Sequence, residues 1–427
     1  MQRYSEYKDS GVQWLGEIPS HWEVKRLASF FSERRVKVSD KDYPPLSVTK
    51  LGIFPQWENV SKTNDGDNRK LVRKGDFVIN SRSDRKGSSG VSDRDGSVSL
   101  INIVLKPRKV IHVGYSNCLL KSYKFIEEYY RNGRGIVADL WTTRFDEMKM
   151  IKLAIPTLIE QEAIANYLDS VTSKIDIAIA QQQKMIDLLN ERKQIIINNA
   201  VTKGLNPNVK MKDSGVEWIG EIPEHWEVKK LGAIGSTING VSHDSSYFGE
   251  GNPFVSYSDV YKNYSLPQFV AGLAKSSIQE RKNFSVEKGD VFFTRTSETV
   301  EEIGFTSTCL RTIPNAVFAG FLIRFRPQIG TLEPDFSKYF FRAYIHRSYF
   351  VKEMNLVIRA SLSQQLLKGL PVLLPPLQEQ CYIADFLDCE ISKINSTIAL
   401  SHKQISLLQE RKQIIINDVV TGKVKVV

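Results

Sequence analysis

Along two stretches of the chain, apolar residues recur at spacings of three and four. The first stretch holds Ile164, Leu168, Val171, Ile175, Ile179, Met185, Leu189 and Ile196. The second holds Ile383, Leu387, Ile391, Ile394, Ile398, Ile405, Leu408 and Ile415. This period lays them on one stripe of a helix. Sustained over several heptads, it predicts a coiled-coil seam, and Gln182 and Ser401 are polar interruptions of the kind that set register. Pro156 and the pair Pro375-Pro376 stop any helix running in from upstream. The first helix is predicted to end near Gly204, with Asn206-Pro207 opening a linker, and the second at Gly422.

Elsewhere the apolar period is two. YPPLSVTKLGIF, KGDFVINSR and VSLINIVLKP precede the first helix, and NPFVSYSDV, KGDVFFTRTS and AVFAGFLIRFRP precede the second. Gly- and Asp-rich loops separate them, which predicts twisted mixed sheets with a few helices, α+β in class. YKFIEEYYRNG reads as a helix ending at Gly133, and DFSKYFFRAYIHRSYFVKEM as a second.

The two helical stretches are copies. EQEAIANYLDSVTSKID…LLNERKQIIIN runs from Glu160 to Asn198, and EQCYIADFLDCEISKIN…LLQERKQIIIN from Glu379 to Asn417, an offset of 379 − 160 = 219 at both ends. A second repeat lies ahead of each: KDSGVQWLGEIPSHWEVKRL from Lys8 and KDSGVEWIGEIPEHWEVKKL from Lys212, an offset of 212 − 8 = 204. The order is the same in both copies, so the chain is a tandem duplication of a Trp-rich leading segment, a variable region and a long helix. Trp14, Trp22, Trp218 and Trp226 are expected to form packing clamps. His21 and His225 lack ligand-spaced partners and are expected to form hydrogen bonds rather than hold metal. A duplicated chain that returns on itself predicts an antiparallel helix pair with pseudo-twofold internal symmetry. At 1.5 Å per residue, about 39 residues make a rod of roughly 60 Å.

Composition narrows the class. With 41% hydrophobic and 25% charged residues the chain is an ordinary globular protein. No apolar run reaches membrane-spanning length, and MQRYSEYKDSGVQW lacks the apolar core of a signal peptide, so a cytoplasmic protein without membrane contact is expected. Cys118, Cys309, Cys381 and Cys389 form no CxxC and predict neither zinc site nor disulfide framework. A net charge of +10 permits a polyanionic partner.

Catalytic motifs are sparse. There is no phosphate-cradling P-loop. Gly133-Arg134-Gly135 with residues 136–138 matches the loose dinucleotide pattern but follows a helix rather than a strand. The Asn/Asp-Pro-Pro-aromatic tetrapeptide of an amino-methyltransferase is missing. Asp9 with Glu23-Val24-Lys25, and Asp213 with Glu227-Val228-Lys229, have the residue types of a Mg²⁺ nuclease site. A stand-alone Mg²⁺-dependent DNA nuclease is therefore one alternative, and a coiled-coil scaffold without DNA binding is another. The expected catalytic residues, metal and cofactors of the main reading are none.

Candidate DNA contacts gather in the loop Asn80–Gly96, with Arg82, Arg85, Lys86 and Arg94 among Gly, Ser and Asp. Arg forks suit guanine edges, and Arg and Lys suit phosphates. The matching stretch of the second copy is Thr294-Arg295-Thr296 with Ser297 and Glu298. Lys50, Gln56, Tyr257 and Lys262 complete the candidates. The competing expectation is a solvated loop whose Arg and Asp side chains satisfy each other.

KDSGVEWIGEIPEHWEVKKL, the PPLQEQ…IADFLD helix start and the ERKQIIIN…VVTGK helix end closely resemble the specificity subunit of type I restriction–modification enzymes. The resemblance covers essentially the whole chain. It implies a non-catalytic subunit with a target-recognition domain over 1–153, a conserved helix over 154–205, a second recognition domain over 206–372 and a second helix over 373–427. Each recognition domain would read one half of a bipartite site in double-stranded DNA. The helices would set the spacer and dock two modification (methyltransferase) subunits, which a restriction/translocase subunit joins. By position, Glu160, Gln161, Glu379 and Gln380 fall in the conserved helical regions with Leu168, Ile175, Leu387 and Ile394, implying spacer and docking roles.

Overall fold

The computed structural model describes residues 2–56, 66–135, 141–296, 303–354 and 362–426. Two compact units emerge, and each takes part of both long helices: Met1–Gln183 with His402–Val427, and Lys184–Ser401.

In the first unit the leading segment folds as a short hairpin, Tyr7–Asp9 against Glu17–Pro19, followed by the strand Glu23–Arg26. That strand pairs antiparallel with Lys152–Ile155, which leads into the first long helix, Leu158–Lys203. Between them lies a four-stranded antiparallel sheet in the order Ser89–Val91, Phe77–Asn80, Asn102–Pro107, Phe31–Glu33. The helices Val113–Leu120 and Tyr123–Arg131 follow it.

The second unit repeats the plan. Met211–Asp213 pairs with Glu221–Pro223, and Glu227–Lys230 with Pro371–Leu374, ahead of the second long helix, Leu377–Val420. Its sheet runs Gly235–Asn239, Leu322–Pro327, Val291–Thr294, Thr306–Thr308, again antiparallel. The expected mixed character is seen in a smaller sheet, where Phe254 and Val255 pair in parallel with Val317 and Phe318, and at the isolated parallel bridges Pro45–Ser97, Val241–Ala319 and Ser265–Thr308. The helix read over DFSKYFFRAYIHRSYFVKEM is two, Pro334–Phe340 and Ile345–Met354. The Phe340 carbonyl accepts from the Ala343 N–H at 3.1 Å and from His346 Nε2 at 2.8 Å, so it is turned away from a continuing helical ladder.

Both units close on the same device. Trp22 and Trp226 are fully buried. Each long helix ends at a glycine in the left-handed region, Gly204 (φ +71°) and Gly422 (φ +74°). A Cβ on Gly422 would stand 2.3 Å from Pro19 Cδ and 3.2 Å from Trp22; one on Gly204 would stand 3.3 Å from Trp226. Only glycine allows the helix end to seat on the indole. The end of the second helix therefore docks in the first unit, and the end of the first helix in the second.

The seam follows the predicted stripe with one correction. Met185 is 49% exposed and its neighbour Ile186 only 4%. Ile186, not Met185, is the repeat equivalent of Ile405. Among the described residues no helix is long and apolar enough to cross a membrane.

Candidate nucleic-acid interface

The scaffold under the candidate loops is an aspartate clamp. Lys74-Gly75-Asp76 and Lys288-Gly289-Asp290 each turn into a central strand, with Gly75 at φ +88° and Gly289 at φ +93°. Asp76 Oδ2 accepts from the Arg73 N–H at 2.8 Å and from Arg34 Nε at 2.6 Å, while Arg34 Nη2 reaches Oδ1 at 3.0 Å. Asp290 takes the Glu287 N–H at 2.7 Å and a bidentate Arg326 fork at 2.6 and 2.7 Å. Burial pushes the Asp290 carboxyl up, against the lowering by Arg326. These forks onto buried carboxylates fix the strand starts, so the loops at the far strand ends vary on a rigid base.

The loop Asn80–Gly96 is in fact two. Ser89–Val91 is a strand paired with Phe77–Ile79. It separates Arg82, Arg85 and Lys86 at one end from Arg94 at the other, roughly 10 Å apart at 3.3 Å per residue. At the first end the Ser83 N–H donates to the Trp141 carbonyl at 3.0 Å, and Arg82 bridges to Thr142. Arg82 pairs with Asp84 at 3.2 Å, Arg85 with Asp84 at 3.8 Å, and Lys86 with Glu127 at 2.7 Å. At the second end Arg94 forks onto Asp93 at 2.7 and 2.8 Å. The Arg and Asp side chains of these loops thus pair with each other in the structure. Exposed pairs of this kind are weak and exchange readily for phosphate or base partners. Lys50 is exposed at the turn joining Leu46–Val48 to Ile53–Pro55, where Gln56 is half-buried.

In the second unit Tyr257 and Lys262 bound a short helix whose start is held by a Ser256–Asp259 capping box. Tyr257 stacks on Tyr261 at 5.9 Å, and Lys262 is exposed. Arg295 is half-buried and Thr296 exposed. Thr294 is a correction: it is fully buried, and its Oγ1 accepts from the Phe305 N–H at 2.9 Å, so it holds a strand end rather than touching DNA. Ser297 and Glu298 lie outside the described residues.

The duplicated helical motifs are also spent inside the fold. Glu160 Oε1 accepts from the Tyr4 hydroxyl at 2.5 Å and Trp22 Nε1 at 3.2 Å, and Oε2 lies 3.0 Å from His21 Nε2. Glu379 Oε2 meets His225 Nε2 at 2.8 Å and Trp226 Nε1 at 3.2 Å. Gln161 accepts from the His112 N–H at 2.7 Å and donates to the Pro156 carbonyl at 3.0 Å; Gln380 accepts from the Glu333 N–H at 2.8 Å and donates to the Pro375 carbonyl at 2.9 Å. Leu168, Ile175, Leu387 and Ile394 are buried in the helix packing. Gln161, Gln380 and these apolar side chains are thus closed to direct contact with a partner. Burial, which a motif does not display, is the physical reason. Exposed neighbours on the same helices are Leu188 and Ile195, and their repeat equivalents Leu407 and Ile414.

The residues of the nuclease alternative are engaged in local contacts. Glu23 pairs with Lys25 in the first unit, and Glu227 with Lys229 in the second. The carboxylates of Asp9 and Asp213 cap the Gly11 and Gly215 N–H groups at 2.9 Å.

Sequence reasoning missed a cleft of about 570 Å³ in the first unit, whose lining includes Arg35, Lys37, Lys70, Ile101 and Arg144. These cations are scattered along the chain, and only strand register brings them together.

This is a duplicated, loop-variable frame, and comparison with known proteins shows what it is similar to. Residues 223–409 match the type I restriction modification DNA specificity domain. The chain is 27% identical to the type I restriction enzyme EcoKI specificity subunit of Escherichia coli, over 86% of this chain and 82% of that protein. It is 24% identical to the MjaVIII specificity subunit of Methanocaldococcus jannaschii, over 100% and 98%. In fold it is similar to a chain from a type I R-M system described for its complex assembly and conformational transition, with TM-score 0.72, 15% identity and coverage of 95% and 99%. The HsdS subunit from Thermoanaerobacter tengcongensis follows at TM-score 0.53, 16% identity and coverage of 95% and 98%. In sequence and in fold, the proteins this chain is similar to are thus specificity subunits of type I restriction–modification systems.

Proposed function

We propose that this chain reads a bipartite target in double-stranded DNA, one half per unit, for a type I restriction–modification complex in the cytoplasm. The observation that carries the reading is the pairing of one frame with two loop sets. Both units share the aspartate clamp, the four-stranded sheet and the Trp–Glu closure, while their loops differ in length and chemistry. A duplicated frame with diverged loops suits two independent readers. The paired helices set the spacer, and their exposed faces offer two similar surfaces to two modification subunits, with a restriction/translocase subunit joining that assembly. Recognition domains then occupy 1–153 and 206–372, and the helical regions 154–205 and 373–427.

Exchanging residues 28–153 for the equivalent region of another specificity subunit tests this directly. Mapping of methylated bases in the host should show one half of the target changed and the other intact; a change in both halves would defeat the reading. Residue roles separate in the same assay. Arg82→Ala should relax base preference in one half if Arg82 reads a base, or weaken binding uniformly with a shallower salt dependence if it holds a phosphate. Lys50, Arg85, Lys86, Arg94, Tyr257, Lys262, Arg295 and Thr296 sort by the same criterion.

A further inference from the structure

The two units build the same backbone junction at one end of their four-stranded sheets. In the first, the Ser81 N–H donates to the Ile101 carbonyl at 3.3 Å, and the Ser81 carbonyl accepts from the Thr143 N–H at 3.0 Å. In the second, the Arg295 N–H donates to the Phe321 carbonyl at 2.9 Å, and the Arg295 carbonyl accepts from the Leu362 N–H at 2.8 Å. The ladders agree around it, with Asn80 opposite Asn102 and Thr294 opposite Leu322. Ile101 and Phe321 therefore occupy one structural position in two copies.

Each unit exposes an apolar side chain at that position, Ile101 at 44% and Phe321 at 65%. One exposed apolar residue needs no explanation. Its recurrence at an equivalent turn, ringed by polar groups, does. In the first unit Ile101 shares its cleft with the exposed Arg35, Lys37 and Arg144, alongside Glu33 and Asp146. Glu33 faces Leu105 and Thr237 faces Phe325, so two residues further on Arg35 corresponds to Asn239. Past Thr143 and Leu362, Arg144 corresponds to Ser363, followed by Gln364. In the second unit Gln364 Nε2 donates to Asn239 Oδ1 at 3.2 Å, and Gln364 Oε1 accepts from the Thr237 hydroxyl at 2.9 Å. The first unit thus sets guanidinium and ammonium groups around its apolar knob, while the second has the carboxamides of Asn239 and Gln364 at or beside the corresponding positions and Arg295 in the place of Ser81. Arg suits guanine edges and phosphates; Asn and Gln suit adenine.

We propose that this sheet end is the base-reading surface of each unit, with Ile101 and Phe321 as wedges pressed against a base step of duplex DNA. The inference rests on the DNA-reading function proposed above and assigns it to a surface. An apolar wedge that loosens a base step exposes edges to the polar groups beside it. The divergent ring then gives each unit its own preference.

The test uses the full chain and duplexes carrying 2-aminopurine walked through each half-site, once base mapping has defined them. Wild-type protein should raise the fluorescence at one step per half. Phe321→Ala should abolish the rise in the second unit's half and weaken selective binding roughly tenfold, while Phe321→Trp retains both. Ile101→Ala should act on the other half alone. Both side chains are exposed, so melting should be unchanged in each variant, which separates the wedge from a folding role. A rise that survives Phe321→Ala, or selective wild-type binding with no rise at any position, overturns the wedge and leaves the parent reading standing. Absence of selective binding by the wild type overturns the parent reading and the wedge with it.

Discussion

The Lys412 ammonium sits 2.7 Å from both carboxylate oxygens of Asp176. The repeat equivalents of these residues are Lys193 and Asn395, and in the second unit they meet at 3.1 Å. The two partners' residue numbers have the same total in both pairs, as an antiparallel register requires. The first unit's pair is ionic. The second is not, and its lysine is half-buried over the Tyr264 ring at 5.3 Å. Burial lowers the Lys193 pKa, with the charge of Arg342 adding to the effect. Asn395→Asp restores the missing carboxylate. It should stabilise the second unit by about 0.5 kcal/mol, the usual scale of a surface pair, read as a small rise in thermal midpoint that vanishes in high salt.

Glu160 is the acceptor on which the start of the first helix depends. Glu160→Leu would leave the Tyr4 hydroxyl and Trp22 Nε1 without their acceptor, at a cost of about 3 kcal/mol. Glu160→Gln keeps one acceptor oxygen and should cost about 1 kcal/mol. Glu379 is more exposed, its side chain at 27% against 10% for Glu160. Glu379→Leu should therefore cost less than Glu160→Leu, since water can replace what is lost. Denaturant titration of the three variants orders them, and an inverted order of the two leucine variants would refute the assignment.

His346 makes the second unit acid-sensitive. It is buried against the Phe340 ring at 4.7 Å, and its pKa falls to about 3, chiefly from burial and then from the charge of Arg347. The folded state therefore holds it neutral while the unfolded chain protonates near pH 6.5. Stability is complete above that value and is lost as pH falls from there towards 3, on the order of 3 kcal/mol by pH 4. The equivalent position in the first unit is Phe125, located by matched bonds: the Lys124 N–H to Asn417 Oδ1 at 3.3 Å and the Ile345 N–H to Asn198 Oδ1 at 3.4 Å. His346→Phe should flatten the acid limb of the second unit's stability curve between pH 4 and 7. An unchanged limb would assign the sensitivity elsewhere.

How much of this could be read from the residues depends on the range of the interaction. The helices are local and periodic, so their stripe and their glycine ends were legible. The misplaced Met185 was recoverable as well, because the repeat aligns Ile186 with Ile405. The α+β class was legible from alternating strands. The division of Asn80–Gly96 was not, since SGV gives little strand signal and the strand Ser89–Val91 exists through its pairing with Phe77–Ile79. Thr294 looked like a surface donor because its burial comes from the neighbouring strands. The clustering of Arg35, Ile101 and Arg144 needs three strand registers at once, and no local pattern encodes that.

The registers of the two units constrain any change in helix length. Lys412 with Asp176 in one unit and Lys193 with Asn395 in the other can both be kept only if the two helices have equal numbers of residues between their pairing points. A seven-residue insertion after Gln183 alone breaks that equality and forces one helix to bulge or one pairing to slip. A matched insertion in both helices preserves the equality and the seam, because seven residues return a side chain to the same face. The single insertion should therefore broaden thermal unfolding and reduce methylation at every site. The double insertion should melt like the wild type, keep both half-site sequences and lengthen the unread spacer between them. Base mapping in cells carrying each variant reads the outcome, and an unchanged spacer in the double insertion would refute the ruler role of the helices.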